Sequence, residues 1–143
     1  MTSSVAPALS ASAVSAPAVS GPVLVVDDDM VSRLVLAHML RRFGFDVVEA
    51  DDLAPAIDLV GESRFALVFC DYSMPGGTGL ELFARLRLTA ERPQFVLVTG
   101  IVDDPETGSE RFASVDAYLT KPVSTRALRT CMKIVLPQWE LRS

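Results

Sequence analysis

The sequence has few cysteines, an excess of acidic over basic residues and no long hydrophobic run, and each of these features excludes a class of protein. Two cysteines, Cys70 and Cys131, are too few for a disulfide framework. A net charge of −5 argues against non-specific nucleic-acid binding, because that binding requires a basic surface. No apolar run approaches the roughly 18 residues that cross a bilayer. We therefore expect a cytoplasmic protein that binds neither a membrane nor nucleic acid directly.

Length and composition predict one globular domain. The chain has 143 residues, half of them hydrophobic. Residues 1–21 differ, because they are nearly all Ala, Ser, Pro and Val without charge, which is typical of a disordered tail or linker. A signal peptide is the alternative, but the segment lacks a cationic start and a continuous apolar core. We expect a domain over residues 22–137 and a C-terminal tail over residues 138–143.

Two kinds of hydrophobic segment alternate after residue 22. Short apolar or β-branched runs predict five strands at Val23–Val26, Phe45–Glu49, Phe65–Cys70, Phe95–Val98 and Ala117–Leu119. Longer segments predict five helices at Met30–Phe43, Leu53–Gly61, Leu80–Leu88, Pro105–Ala113 and Ser124–Leu136. This alternation predicts an α/β fold with a doubly wound parallel sheet and helices on both faces. The second strand alternates polar and apolar residues, so we expect it near an edge.

Polar residues stand where four of these strands end. Asp27 and Asp28 follow the first strand, Asp71 ends the third, Thr99 ends the fourth, and Lys121 follows the fifth. The carboxyl ends of parallel strands meet at one edge of the sheet, where open α/β proteins bind their ligands. Because apolar packing does not explain these residues, we predict a functional site at this edge.

The residue types at this edge favour phosphoryl chemistry. Three carboxylates repel one another, and a Mg²⁺ ion with oxygen ligands would relieve that repulsion. Asp71 is then a candidate nucleophile, because aspartate carboxylates form acyl phosphates. The charge on the transferred group would be neutralised by Mg²⁺, by the Lys121 ammonium and by the Thr99 hydroxyl.

Simpler roles exist for each residue. Asp27–Asp29 would suit the N-terminus of the following helix, as cap and first-turn acidic residues. Asp71 would suit a turn, Lys121 a solvated surface, and Thr99 an ordinary strand end. His38 lies on the polar side of the first helix, and we expect a surface residue there rather than a ligand.

Four motifs together resemble a known family. They are Val25-Val26-Asp27-Asp28-Asp29, Asp71-Tyr72-Ser73-Met74-Pro75-Gly76, Leu97-Val98-Thr99-Gly100 and Tyr118-Leu119-Thr120-Lys121-Pro122. In this order and spacing, over residues 22–137, the chain resembles the receiver domain of two-component response regulators, in the CheY-like superfamily. The resemblance implies a flavodoxin-like sheet with strand order 2-1-3-4-5.

The resemblance also implies a role for each matching position. Asp71 matches the phospho-acceptor, and Lys121 matches the lysine that pairs with the phosphoryl group. Thr99 and Tyr118 match the switch residues that alter a protein-binding surface, and the peptide before Pro122 would be cis. Mg²⁺ would be held by oxygen atoms at four positions: Asp27, Asp28, Asp71 and the backbone carbonyl of Ser73.

The function implied is that of a phospho-acceptor in a phosphorelay, not of an enzyme beyond its own phosphorylation. The donor would be a sensor histidine kinase or a histidine phosphotransfer protein, and the output partner an unknown downstream protein. A haloacid-dehalogenase-like phosphatase is one alternative, but it requires an aspartate where this chain has Ser73. The other is a phosphorylation-independent adaptor with the same fold, although such proteins often lose part of the acidic pocket that this chain keeps.

Overall fold

Five parallel strands form the central sheet of the computed structural model, which describes residues 21–89, 91–100 and 114–142. They are β1 (Val23–Val26), β2 (Val47–Ala50), β3 (Leu67–Asp71), β6 (Gln94–Thr99) and β7 (Ala117–Thr120). Their spatial order is β2-β1-β3-β6-β7, so the predicted order 2-1-3-4-5 is confirmed. Two further short strands, β4 (Ser73–Met74) and β5 (Gly77–Thr78), lie between β3 and β6 in the chain and form a separate antiparallel hairpin.

The described residues contain five helices. They are α1 (Met30–Arg42), α2 (Leu53–Glu62), α3 (Gly79–Leu86), α4 (Thr125–Val135) and α5 (Pro137–Arg142). Of the described helices, none is long and apolar enough to cross a membrane. The predicted helix Pro105–Ala113 and the predicted tail, apart from Gly21, lie outside the described residues.

Burial follows the strand patterns of the sequence. Every residue of β1 and β3 is buried, as expected for inner strands of a sheet covered on both faces. β2 is a half-buried edge strand, as its alternating sequence predicted. It begins two residues later than predicted, because the amide of Phe45 bonds to the carbonyl of Leu40 at the end of α1 rather than to the sheet.

Two hydrophobic clusters cover the faces of the sheet. One contains the inward residues of α2 and α3, and in it the rings of Phe83 and Phe95 lie 5.1 Å apart. The other contains residues of α1 and α4, including Leu40 and Leu128. The sheet is therefore buried between two helical layers, and its carboxyl edge remains available for polar residues.

Side-chain caps fix the helix starts next to that edge. The Asp29 carboxylate accepts the Ser32 amide at 3.0 Å, and the Ser124 hydroxyl accepts the Ala127 amide at 3.0 Å. Serine is a favoured N-cap residue, and Ser124, the first residue of the predicted helix Ser124–Leu136, is the cap of α4. Gly44 follows α1 with φ +100°, a backbone conformation that favours glycine.

The exposed side of α1 is more apolar than its sequence pattern suggested. The helical spacing of the apolar residues in this segment predicts that Val35 faces the core, but Val35 is 50% exposed. It lies beside three other exposed apolar residues of α1, which are Met30, Val31 and Leu34. The helix turns Leu36, Ala37 and Leu40 to the core instead. We call the four exposed residues the α1 patch. His38 is exposed, as predicted.

The segment after α4 is helical and docked, a feature not expected of residues 138–143. Trp139 in α5 is 8% exposed, and its ring centroid lies 5.1 Å from that of Phe43 and 6.3 Å from that of Phe45. The Arg129 guanidinium lies 5.7 Å from the centre of the Trp139 ring. Apolar burial of this one large ring therefore extends the domain beyond residue 137.

Candidate functional site

Asp27 and Asp71 meet because their strands are neighbours. β1 and β3 pair in parallel with Val26 opposite Cys70, so the next residue of each strand lies at the same level. Both carboxylates are largely buried, with relative exposures of 5% for Asp27 and 7% for Asp71. Asp28 is exposed, and one carboxylate oxygen from each of the three residues lies within 4.8 Å of the others. We call these three residues the acidic cluster.

Lys121 reaches the acidic cluster from the end of β7, the edge strand at the opposite end of the sheet from β2. It follows β7, and its amide bonds to the Thr99 carbonyl at 2.8 Å, which places it at the same edge. Its Nζ lies 2.9 Å from Asp27 Oδ2 and 3.4 Å from Asp71 Oδ2. The peptide between Lys121 and Pro122 is cis, as the resemblance implied. One ammonium therefore bridges two buried carboxylates.

The acidic cluster carries more negative charge than Lys121 neutralises. Burial, together with the nearby charge of Asp27, raises the pKa of Asp71 to about 6. Burial alone would lower the pKa of Lys121, but the hydrogen bond and charge of Asp27 and the charge of Asp71 raise it. Lys121 therefore stays charged, and the unbalanced group is the Asp71 carboxylate.

Backbone bonds hold Asp27 in place. Its amide bonds to the Ala50 carbonyl of β2 at 3.1 Å, and its Oδ1 accepts the Asp29 amide at 2.9 Å. Asp29 in turn caps α1, and hydrogen bonds from the Ser32 side chain and the Ser32 amide hold the pKa of Asp29 below the usual value. The capping role considered for this acidic run is thus taken by Asp29, which leaves the Asp27 and Asp28 carboxylates for the acidic cluster.

The loop after Asp71 is shaped by close backbone approaches. The Tyr72 amide bonds to Val98 of β6 at 2.7 Å, and the Gly79 amide bonds back to the Tyr72 carbonyl at 2.8 Å. A Cβ atom at Gly79 would lie 2.6 Å from the Asp71 carbonyl oxygen. Gly77 has φ +146°, which favours glycine. These glycines let the hairpin β4–β5 fold tightly beside Asp71.

The sequence matches the family model described as the response regulator receiver domain over residues 23–133. The chain belongs to this family. The receiver domain is thus identified over most of the chain, and the fold expected from the resemblance is confirmed.

Named relatives agree with this assignment. The phosphate regulon transcriptional regulatory protein PhoB of Pseudomonas aeruginosa is 33% identical over 118 residues, which cover 80% of this chain and 51% of that protein. The response regulator MprA of Mycobacterium sp. (strain KMS) is 35% identical over 118 residues, covering 80% and 50%. The chain therefore spans about half the length of these relatives.

A solved structure shows the same fold. The chemotaxis response regulator CheY4 of Vibrio cholerae has a TM-score of 0.72 and 25% sequence identity, and the match covers 80% of this chain and 98% of that one.

The donor atoms of this receiver domain suit a hard divalent cation. All three members of the acidic cluster offer carboxylate oxygens, and none is a thiolate or imidazole. Two of these carboxylates are largely buried, and a cation between them would relieve their mutual repulsion. The third carboxylate is exposed, so a bound cation would still keep water ligands. Lys121 shares its single positive charge between two carboxylates, so negative charge remains in the acidic cluster. The residues therefore fit Mg²⁺.

The other expected site residues lie at or near the same edge. Thr99 ends β6 and is 1% exposed, in the strand next to Asp71. Tyr118 lies in β7 and is 36% exposed, and Ser73 stands in β4 two residues after Asp71. Thr99 and Tyr118 thus belong to the fourth and fifth strands of the main sheet, whereas the short strand that contains Ser73 was not predicted. The roles proposed for these residues are considered below.

Sequence reasoning missed one residue that contacts this edge. The Arg33 Nη1 group donates to the Asp27 carbonyl oxygen at 3.0 Å, although the spacing of apolar residues in α1 predicts that Arg33 lies on the polar side of this helix. Its second partner is Glu49 in β2, 16 residues away. The sequence shows only that Arg33 lies in the first turn of α1. It does not show that the side chain reaches Glu49 in another element.

The raised pKa of Asp71 predicts how stability changes with pH in the absence of metal. The folded state holds the Asp71 proton more tightly than the unfolded chain, so this residue's stabilising contribution is complete below pH 4 and is lost as the pH rises through about 6. At pH 7.5 with a chelator, we expect Asp71→Asn to increase the free energy of unfolding by about 1 kcal/mol, because solvent screens part of the repulsion. The measurement is urea denaturation of both proteins from pH 4 to pH 7.5.

Asp58→Asn is a suitable control, because this substitution removes one carboxylate from α2, away from the acidic cluster. Its effect should remain within about 0.5 kcal/mol of zero. A wild-type protein more stable than Asp71→Asn at pH 7.5 without metal would contradict the electrostatic account.

Proposed function

We propose that Asp71 accepts a phosphoryl group from a sensor histidine kinase or a histidine phosphotransfer protein. The observation that carries this proposal is a buried, under-neutralised Asp71 carboxylate, 3.4 Å from the Lys121 ammonium and beside two further aspartates. Transfer forms a bond from an Asp71 carboxylate oxygen to phosphorus and breaks the bond from phosphorus to the donor imidazole. The domain takes part as an acceptor and not as an enzyme with a separate substrate.

Mg²⁺ belongs to the same proposal. It would be held by Asp27, Asp28, Asp71 and the Ser73 backbone carbonyl. When bound, it neutralises charge on the phosphoryl oxygens. Lys121 already contacts an Asp71 oxygen, so its ammonium can shift to a phosphoryl oxygen with little movement. Thr99, at the end of the adjacent strand, supplies a hydroxyl for another oxygen.

A change of the output surface would follow phosphorylation. Thr99 would move toward the new phosphoryl group, and Tyr118 would change its packing in β7 in response. The exposure of Tyr118, at 36%, supports a role at a surface that a partner could sense. Phosphorylation is thus proposed to switch a protein-binding surface for a downstream protein.

Location and other partners follow the same reasoning. Two free, buried thiols, Cys70 and Cys131, and the acidic net charge support a cytoplasmic domain that does not itself contact nucleic acid. PhoB is named a transcriptional regulatory protein, and that name refers to its whole length, of which this chain spans about half.

Labelling with a small phosphodonor tests the acceptor role. Incubation with acetyl phosphate and Mg²⁺ should add one phosphoryl group, measured as intact mass, because Asp71 is the nucleophile. The adduct should be absent without Mg²⁺ and absent in Asp71→Asn, whereas Asp58→Asn should be labelled as the wild type. No adduct on folded wild-type protein with Mg²⁺ would reject the proposal and favour a phosphorylation-independent adaptor.

The α1 patch is proposed as the docking surface for the donor protein. Its residues Val31 and Leu34 are 65% and 47% exposed, and α1 begins directly after the acidic cluster. An apolar patch beside the acceptor would bury against helices of a donor and bring its phosphohistidine close.

Substitution within this patch separates docking from chemistry. Leu34→Asp should lower the rate of transfer from a phosphorylated kinase about tenfold, because a charge in an apolar interface costs more than about 1 kcal/mol. Labelling by acetyl phosphate should stay within twofold. Leu88→Asp is the matched control, because Leu88 is a leucine with 85% exposure that lies just after α3. Equal losses with both donors would show that the patch has no docking role.

A further inference from the structure

Arg33 contacts the backbone between two members of the acidic cluster. Its Nη1 group donates to the Asp27 carbonyl oxygen at 3.0 Å. That carbonyl belongs to the peptide unit that joins Asp27 to Asp28, so its direction is linked to the relative placement of the two carboxylates. Asp27 comes directly after the last residue of β1, and its amide still bonds to the Ala50 carbonyl of β2, whereas its carbonyl accepts the Arg33 side chain.

The guanidinium is itself fixed from a second side. Arg33 Nε donates to Glu49 Oε1 at 3.1 Å, and the two side chains are 16% and 22% exposed. Glu49 precedes Ala50, whose carbonyl accepts the Asp27 amide at 3.1 Å. Arg33 thus connects α1, β2 and the end of β1, because its planar guanidinium donates hydrogen bonds to two partners.

We propose that Arg33 is a positioning residue for the Mg²⁺ site, acting through the Asp27–Asp28 peptide and not by touching the ion. This inference rests on the proposed function, because it takes Asp27 and Asp28 as ligands. Without the guanidinium the Asp27 carbonyl loses this donor, and the peptide can rotate. The two carboxylates then spend less time in the arrangement that a cation needs, which weakens binding as the loss of other ligand-orienting contacts does.

Arg41 offers a matched control within the same ion-pair group. Its Nη2 donates to Glu49 Oε2 and to the Val47 carbonyl, both at 3.2 Å, and its side chain is 49% exposed. Arg41 therefore shares the Glu49 partner and the helix with Arg33, whereas its backbone contact is to Val47 and not to Asp27. A general loss of charge or helix stability would affect both arginine variants, but a loss of site geometry would affect only Arg33.

The test is calorimetric titration of the full chain with MgCl₂ for wild type, Arg33→Gln and Arg41→Gln. We expect Arg33→Gln to raise the Mg²⁺ dissociation constant about tenfold, and Arg41→Gln to change it less than twofold. With saturating Mg²⁺, labelling of Arg33→Gln by acetyl phosphate should return to within about threefold of wild type, because the nucleophile and Lys121 are unchanged.

Arg33→Lys is a second variant that keeps the positive charge, and it allows the test to be made if Arg33→Gln fails to fold. One ammonium cannot reproduce both bonds of the fork, so we expect at least a threefold weaker affinity for Mg²⁺ in a normally folded protein. Wild-type affinity in Arg33→Gln or Arg33→Lys, or equal losses in Arg33→Gln and Arg41→Gln, would overturn the positioning role alone. Absence of Mg²⁺ binding by the wild type would overturn the proposed function as well.

Discussion

The rest of the site depends on the crowding of three carboxylates at one edge of the sheet. Parallel pairing of β1 with β3 brings Asp27 beside Asp71, and the turn into α1 adds Asp28. Lys121 offsets part of this charge by contacts of 2.9 and 3.4 Å. Burial, together with the remaining charge of Asp27, raises the pKa of Asp71 to about 6. Because the folded protein keeps this repulsion, a cation, and in the proposed function a phosphoryl group next to it, would be stabilised at this edge.

The fold makes this crowding possible by fixing each carboxylate through the backbone. Two hydrophobic clusters pack on the two faces of β1 and β3 and thereby hold the polar ends of these strands side by side. Local hydrogen bonds fix the conformation of the loops after β1 and β3. The Asp29 amide bonds to Asp27 Oδ1, and the Gly79 amide bonds to the Tyr72 carbonyl. Apolar packing therefore stabilises the domain and offsets the cost of the repulsion at the edge.

Much of this architecture could be predicted from sequence because it follows from local patterns. The apolar runs of β1 and β3 and the polar residues at their ends identified both the sheet and the acidic cluster. Features that depend on distant partners could not be predicted in this way. The docking of Trp139 on Phe43 and the bond from Arg33 to Glu49 each depend on a neighbour that only the folded chain supplies.

The central claim is that the acidic cluster forms one cation site centred on Asp71. Nuclear magnetic resonance of the ¹⁵N-labelled, metal-free chain during titration with MgCl₂ tests this claim most directly. The account predicts one saturable set of amide shifts concentrated at residues 27–29, 71–73 and 121, and strongly weakened in Asp71→Asn. Shifts spread over exposed acidic residues such as Asp51 and Glu62, or an unchanged titration in Asp71→Asn, would contradict it.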